Sequence, residues 1–210
     1  MSETNHSGPP TDVTSASQAP GAWARYYKRA EEHMDQQWSN LIWPVILNEN
    51  FAVTLDFACG IGRNTQKFLG VAQKIYAIDV NPEAIAQCVA RFADRPEVTC
   101  LLGDGRTLFP IQDDTVTFVY SFDAVVHFDI DLITDYLTEF KRVMKSGATA
   151  FIHHSNLGRG SYATNKGGRG NASAATFKEA CERIGLDCFY QRSIDWGGES
   201  NSDSLSMFRK

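Results

Sequence analysis

The groups able to do chemistry in this sequence are a few histidines and a row of carboxylates. Ser121-Phe122-Asp123-Ala124-Val125-Val126-His127-Phe128 ends a strand-like apolar run with an acid and an imidazole. An imidazole titrating near neutrality suits proton abstraction, so His127 is the first base expected, and Asp123 could orient a base or bind a substrate. His153-His154 closes a later apolar run and offers a second base. Successive strand residues point to opposite faces, so at most one of that pair faces a common site. A competing reading gives His127 to packing or capping of a helix that starts near Asp129. Asp123, His127, Asp129 and Asp131 are also possible ligands for a divalent cation, but no spacing fixes them as a site and no metal is expected.

The stretch most specific for binding is Val53–Asn64, VTLDFACGIGRN. A β-branched run leads into Asp56, and Ala58-Cys59-Gly60-Ile61-Gly62 forms a turn of small residues before a helical pattern. Glycines there let a ligand approach the main chain, and a following helix would offer unpaired N–H groups. A carboxylate, a phosphate or a ribose fits such a place. Asp79 closes the next strand-like run, where a carboxylate can accept from both hydroxyls of a ribose. Gly103-Asp104-Gly105 closes the third, where a carboxylate could meet the exocyclic amine of an adenine.

In these residues the chain resembles the class I S-adenosylmethionine (SAM) dependent methyltransferases. The resemblance rests on Asp56-x-x-Cys59-Gly60-x-Gly62-Arg63, Asp79, Gly103-Asp104 and Val143-Met144-Lys145-Ser146-Gly147, and spans roughly residues 50–155. Ala58 stands where the family often has glycine, and Ser146-Gly147-Ala148 replaces Pro-Gly-Gly. The resemblance implies SAM as cofactor, with S-adenosylhomocysteine (SAH) as product. It implies cofactor contacts from Asp56, Ala58, Cys59, Gly60, Gly62, Arg63, Asp79, Val80, Gly103, Asp104, Gly105, Ser121 and Phe122. Within that set, Asp56 would fix the amino group, Asp79 the ribose and Asp104 the adenine. The catalytic set would be His127 or His154 as base, with Asp123 orienting a base, binding the acceptor or contacting the methionine part of the cofactor. The acceptor side would draw on Tyr26, Tyr27, Trp38, His153, Arg159 and Trp196, with Asp35 a weaker candidate.

The elements that must position these groups alternate. Strands are expected at 52–57, 74–79, 97–102, 115–121 and 148–154. Helices are expected near 62–70, from Asn81-Pro82-Glu83 onward, and at 130–143. Alternation with short links means an α/β, doubly wound, Rossmann-like sheet with helices on both faces. The family pattern is seven mostly parallel strands with an antiparallel last strand, matching two final strands at 186–194 and 204–208 around Trp196-Gly197-Gly198. Thr176–Glu179 reads as a capping box for a helix to about 185. Trp23, Tyr27, Ala30, Met34, Trp38 and Leu41 recur at helical spacing in a cover helix ended by Pro44, within an N-terminal lid segment at 22–48. Residues 1–21 are polar and read as a disordered tail, leaving 22–210 as one domain. The glycine-rich stretch 156–172 reads as a flexible loop, a connector or a lid whose Arg159, Lys166 and Arg169 could meet an anionic acceptor.

The 210 residues carry a net charge of −5, which argues against nucleic acid as partner. Five scattered cysteines without a Cys-x-x-Cys pair read as reduced thiols. No membrane-spanning run or signal peptide is seen, so a cytoplasmic enzyme, monomer or homodimer, is expected. The expected reaction is methyl transfer to a small molecule, most readily a hydroxyl of a sugar or secondary metabolite. A small amine acceptor, a non-catalytic SAM-binding protein and a nicotinamide-dependent oxidoreductase are the alternatives. The last lacks a third small residue after Gly60-Ile61-Gly62.

Overall fold

The structure, a computed structural model, describes residues 27–28, 30–158 and 168–210. The expected tail at 1–21 and Trp23, Arg25, Tyr26, Arg29, Arg159 and Lys166 lie outside the described residues. Among those described, seven strands form one sheet in the order β3-β2-β1-β4-β5-β7-β6. They are β1 (Val53–Phe57), β2 (Lys74–Asp79), β3 (Val98–Leu102), β4 (Val116–Ser121), β5 (Met144–Ser155), β6 (Asp187–Trp196) and β7 (Glu199–Arg209). β7 alone runs antiparallel to its neighbours β5 and β6. The parallel set β1 to β4 therefore ends its strands on one edge, which carries Asp56, Asp79, Gly103 and Asp123.

The helices are α1 (Met34–Gln37), α2 (Trp43–Ile46), α3 (Pro82–Arg91), α4 (Ile130–Val143) and α5 (Ala174–Ile184). β4 is buried throughout and feeds both layers. Its Val119 packs with Leu55, Leu137 and Phe140, while Phe118 and Tyr120 pack with Ile42, Phe68 and Phe151. On α4, Ile133, Tyr136, Leu137 and Phe140 share one face by helical spacing and are all buried. The Phe57 ring lies 4.5 Å from Tyr136 and 5.0 Å from Phe140. Each such side chain removed from water contributes roughly 2 kcal/mol.

Several expectations are corrected. The helix after the glycine turn is only a 3-10 turn at Thr65–Phe68. Gly62 and Gly70 take positive φ at either end of it, and Thr65 is drawn under β1, which leaves no room for an α-helix. Pro44 does not end the cover helix. A π-helical stretch at Trp38–Ile42 precedes it, and helix resumes with Pro44 in its first turn, where a missing N–H costs nothing. The last helix is capped at Ser173, not Thr176. Ser173 Oγ accepts Thr176 N–H, and Thr176 Oγ1 accepts Ser173 N–H. Asp129 occupies the N-cap position of α4, but its side chain makes no cap. Asn171 Oδ1 accepts Ile130 N–H at 2.9 Å, while Asp129 Oδ1 accepts Asn171 N–H at 3.1 Å. Asn81 does cap α3, accepting from Glu83 and Ala84, an arrangement worth about 1 kcal/mol.

Candidate active site

The glycine turn hangs between β1 and β2. Cys59 N–H donates to Ile78 O at 3.0 Å, and Gly62 N–H donates back to Cys59 O at 3.0 Å. Ala58, Gly60 and Gly62 all have positive φ. A Cβ on Gly60 would lie 2.8 Å from Tyr27 Cε1, and one on Gly62 would lie 2.4 Å from Phe92 Cε2. Gly60 thus lets the N-terminal segment close over the turn, and Gly62 lets α3 pack behind it.

Asp79 is anchored to this turn. Its Oδ2 accepts Gly60 N–H at 2.8 Å, and its Oδ1 accepts Asn81 N–H at 2.9 Å. Burial raises its carboxyl, and these N–H donors partly offset the rise. These bonds leave further lone pairs for a pair of hydroxyls. Burial, then the charge of Asp79, raises the nearby Tyr27 phenol well above its ordinary value.

Beside Asp79 lies an apolar slot of about 30 Å³ walled by Phe57, Ile78, Val80, Phe128 and Tyr136, with Gly103 and Gly105 at its rim. Asp104 itself is exposed and shapes the turn. Its Oδ1 accepts from Arg106 and Thr107 backbone N–H, which hold its carboxyl below the usual range. Asp56 lies beneath the turn, 1% exposed, with Oδ2 accepting Thr65 Oγ1–H at 2.6 Å. Burial pushes its carboxyl up to about 7 against the opposing hydrogen bond and Arg63. Ser121 Oγ donates to Phe57 O and ties β4 to β1. A close main-chain cradle, a carboxylate for a diol and an aromatic slot fit an adenosine with a short charged tail.

Residues 55–152 match the family model described as the methyltransferase domain. That stretch, rather less than half of the chain, is similar to the methyltransferase domain family. Solved structures share the fold at low identity. A Haloferax volcanii structure of the Trm112 methyltransferase activator with its assigned methyltransferase partner matches at TM-score 0.69 and 18% identity, covering 91% of this chain and 99% of that one. A SAM-dependent methyltransferase from Clostridium acetobutylicum gives 0.68 at 13%, covering 88% and 98%. The N-methyltransferase NodS from Bradyrhizobium japonicum, in complex with SAH, gives 0.68 at 13%, covering 84% and 86%. No curated protein matches the sequence.

Beyond the glycine turn the end of β4 bends sharply. Asp123 has φ 63°. Its carboxylate meets Arg63 NH2 at 2.9 Å, and Arg63 NH1 donates to Ala30 O at 2.9 Å. Arg63, 8% exposed, therefore ties the glycine turn to the cover segment and to β4. His127 forms a short 3-10 turn with Val125 and Val126, and its Nδ1 lies 2.8 Å from Gly168 O. A carbonyl only accepts, so Nδ1 carries the proton and Nε2 keeps its lone pair. Burial lowers the His127 pKa, although the Gly168 carbonyl opposes this.

The two strand-end histidines face opposite ways. His153 packs against Phe122 (4.6 Å) and Trp196 (5.0 Å). His154 points into the other layer, stacked on Phe177 at 4.2 Å and bonded to Ser206 Oγ at 2.8 Å. Burial drives its pKa down to about 4. The expectation of His154 as base is corrected: it fills the core between β5 and α5. Trp38 is corrected likewise. Half-buried, it lies edge-on to Phe68 and tilted on Tyr120, packed against the core. Asp35 is exposed and pairs with Lys67. Arg169, expected among lid cations, is bound to Asp203 at 2.8 and 3.0 Å.

The sequence reading missed Asp203, Thr65, Phe128, Tyr136 and Asn171. Asp203 was legible, since it shares strand parity with the buried Leu205 and Met207. The other four become neighbours of the site only through long-range packing.

Proposed function

We propose that this methyltransferase moves the methyl group of SAM to a hydroxyl of a small molecule. The observation that carries this reading is the His127 tautomer. Nδ1–H is spent on Gly168 O, the lowered pKa keeps the ring neutral, and Nε2 remains as acceptor. A hydroxyl needs such a base when it attacks the methyl carbon, whereas a neutral amine gains less from one.

We infer the cofactor roles from these positions. Cys59 to Gly62 cradle the methionine part, Asp56 holds its amino group from below, Asp79 takes the ribose hydroxyls, and the slot between Phe57 and Tyr136 takes the adenine, with Asp104 at its edge. Phe122, His153 and Trp196 wall the acceptor side, and Tyr27 closes the turn. Bound SAM supplies an electrophilic methyl; the protein aligns it and receives the hydroxyl proton. No helix among the described residues is long and apolar enough to cross a membrane. The acidic charge and one-domain architecture suit a small acceptor and a cytoplasmic enzyme, as monomer or homodimer.

The test is turnover with labelled SAM on panels of sugar and phenolic hydroxyls and of small amines, using wild type and His127→Ala. Hydroxyl methylation should fall by about 10²–10⁴-fold in the variant with SAH affinity unchanged. Methylation confined to amines, and indifferent to His127, would overturn the reading.

A further inference from the structure

Across the open edge of the sheet runs a chain of polar contacts that the reaction outlined above does not use. Arg169 grips Asp203 with Nε at 3.0 Å and NH2 at 2.8 Å. Asp203 Oδ2 lies 3.0 Å from His153 Nε2, and His153 Nδ1 accepts the backbone N–H of Asp123 at 3.2 Å. Asp123 meets Arg63, and Arg63 reaches Ala30 O. Asp203 and His153 are both fully buried.

Burial alone would raise the Asp203 carboxyl, but the hydrogen bonds from His153 and Arg169 and the charge of Arg169 bring it down. Asp203 is therefore an ionised, acceptor-only partner. Nε2 of His153 must carry the proton, which leaves Nδ1 unprotonated to receive Asp123 N–H. An imidazole so placed has both nitrogens committed and cannot serve as a base.

We propose that Asp203 is a positioning residue of the methyltransferase. By fixing the Nε2–H tautomer of His153, it captures the main chain of Asp123 in the left-handed turn from which the Asp123 carboxylate holds Arg63 beside the cofactor cradle. The proposal rests on the reading that the Cys59–Gly62 turn binds SAM. An αL conformation at a residue other than glycine costs about 1–2 kcal/mol, so it needs such an anchor. The tautomer decides whether the anchor exists. With Nδ1 protonated, two N–H groups would face each other, and Asp123 would lose its hold. An amide at 203 permits this inversion, because its NH₂ can donate to Nε2; a carboxylate forbids it.

Two measurements test the proposal. The first is long-range ¹H–¹⁵N spectroscopy of the histidine rings of the wild-type chain. Nε2–H with bare Nδ1 at His153 is expected, and Nδ1–H overturns the proposal without any variant and whatever the protein binds. The second is SAH titration of wild type, Asp203→Asn and Ser206→Ala. Ser206 lies on the same strand but bonds His154 on the other face, so S206A controls for general loosening of β7. D203N should weaken SAH about tenfold, with S206A at the wild-type value. Equal affinity in D203N and wild type, or equal losses in D203N and S206A, would refute a positioning role. Wild type failing to bind SAH would instead remove the cofactor reading beneath it, and would leave the His153 tautomer to be judged by its spectrum.

Discussion

The Tyr27 ring occupies the space that a side chain on Gly60 would need, with Cε1 2.8 Å from the position of that missing Cβ. The cover segment and the glycine turn are thus in van der Waals contact through a residue that has no side chain. Gly60→Ala must both push Tyr27 away and hold φ near +55°. The backbone part costs about 1–2 kcal/mol. A lower melting temperature together with at least about tenfold weaker SAH binding is expected. Adding Tyr27→Ala should recover part of the affinity but not the backbone cost. Calorimetry and thermal melts on the single and double variants read both effects.

Ala58 gives the opposite sign. It holds φ 56° with a Cβ present. Ala58→Gly removes that strain, while the added freedom of the unfolded chain takes back part of the gain. A stabilisation of up to about 1 kcal/mol in urea unfolding is expected. A loss of stability would show that the Ala58 methyl makes packing contacts worth more than the strain.

Asp56 should report cofactor binding as a proton. Its carboxyl is raised to about 7 by burial. If the ammonium of SAH settles beside it, the ionised form gains, and a proton leaves on binding between roughly pH 6 and 8. Titrations in buffers of different ionisation enthalpy should show this release in wild type and its loss in Asp56→Asn. Equal release from the two proteins would place the amino group elsewhere.

Stability should depend on pH with two opposed slopes. Asp203 has its folded pKa depressed to about 2. Its contribution, on the order of 2 kcal/mol, is complete above about pH 4 and disappears as the pH falls through 2. Asp56 has its folded pKa raised, so the native state binds the proton more tightly. Its effect lowers stability as pH rises from about 4 to 7, by a few kcal/mol at most. Asp56→Asn should flatten the upper slope, and Asp203→Asn the lower one. Denaturant melts at stepped pH separate them.

His154 is expected to matter for the core alone. His154→Ala removes the ring stacked on Phe177 and leaves Ser206 Oγ short of a partner. A destabilisation of about 2–4 kcal/mol is expected, with SAH affinity unchanged in the folded fraction. A selective loss of turnover at full stability would restore it to the chemistry.

The strands were legible because local pattern and tertiary role agree. Val98–Leu102 and Ile130–Val143 stand where their periodicity puts them. Asp79 could be found because it ends the next strand after the glycine turn, although the Gly60 N–H it accepts lies 19 residues earlier. The short helix after the turn could not be read, because it is cut short by the packing of Phe92 on Gly62 and the inward turn of Thr65. Nor could the roles of Trp38 and His154. Aromatic and imidazole rings serve a core or a cleft equally well, and only the direction of the strand or helix face decides between them. The Arg169–Asp203 pair joins residues 34 positions apart, a relationship that no local window contains.

The exchange between Asn171 and Asp129 bears on how the chain is made. The first turn of α4 receives its capping group from a residue 41 positions downstream. On a ribosome, α4 emerges well before that group exists. Its leading turn must stay frayed in water until Asn171 has been synthesised and has swung back to it. His127 borrows its carbonyl partner, Gly168, from the same late segment. The edge that carries His127 is therefore finished from the C-terminal side, and a nascent chain halted before residue 168 would carry β1 to β5 and the glycine turn but neither β6, β7 nor the carbonyl that holds the imidazole.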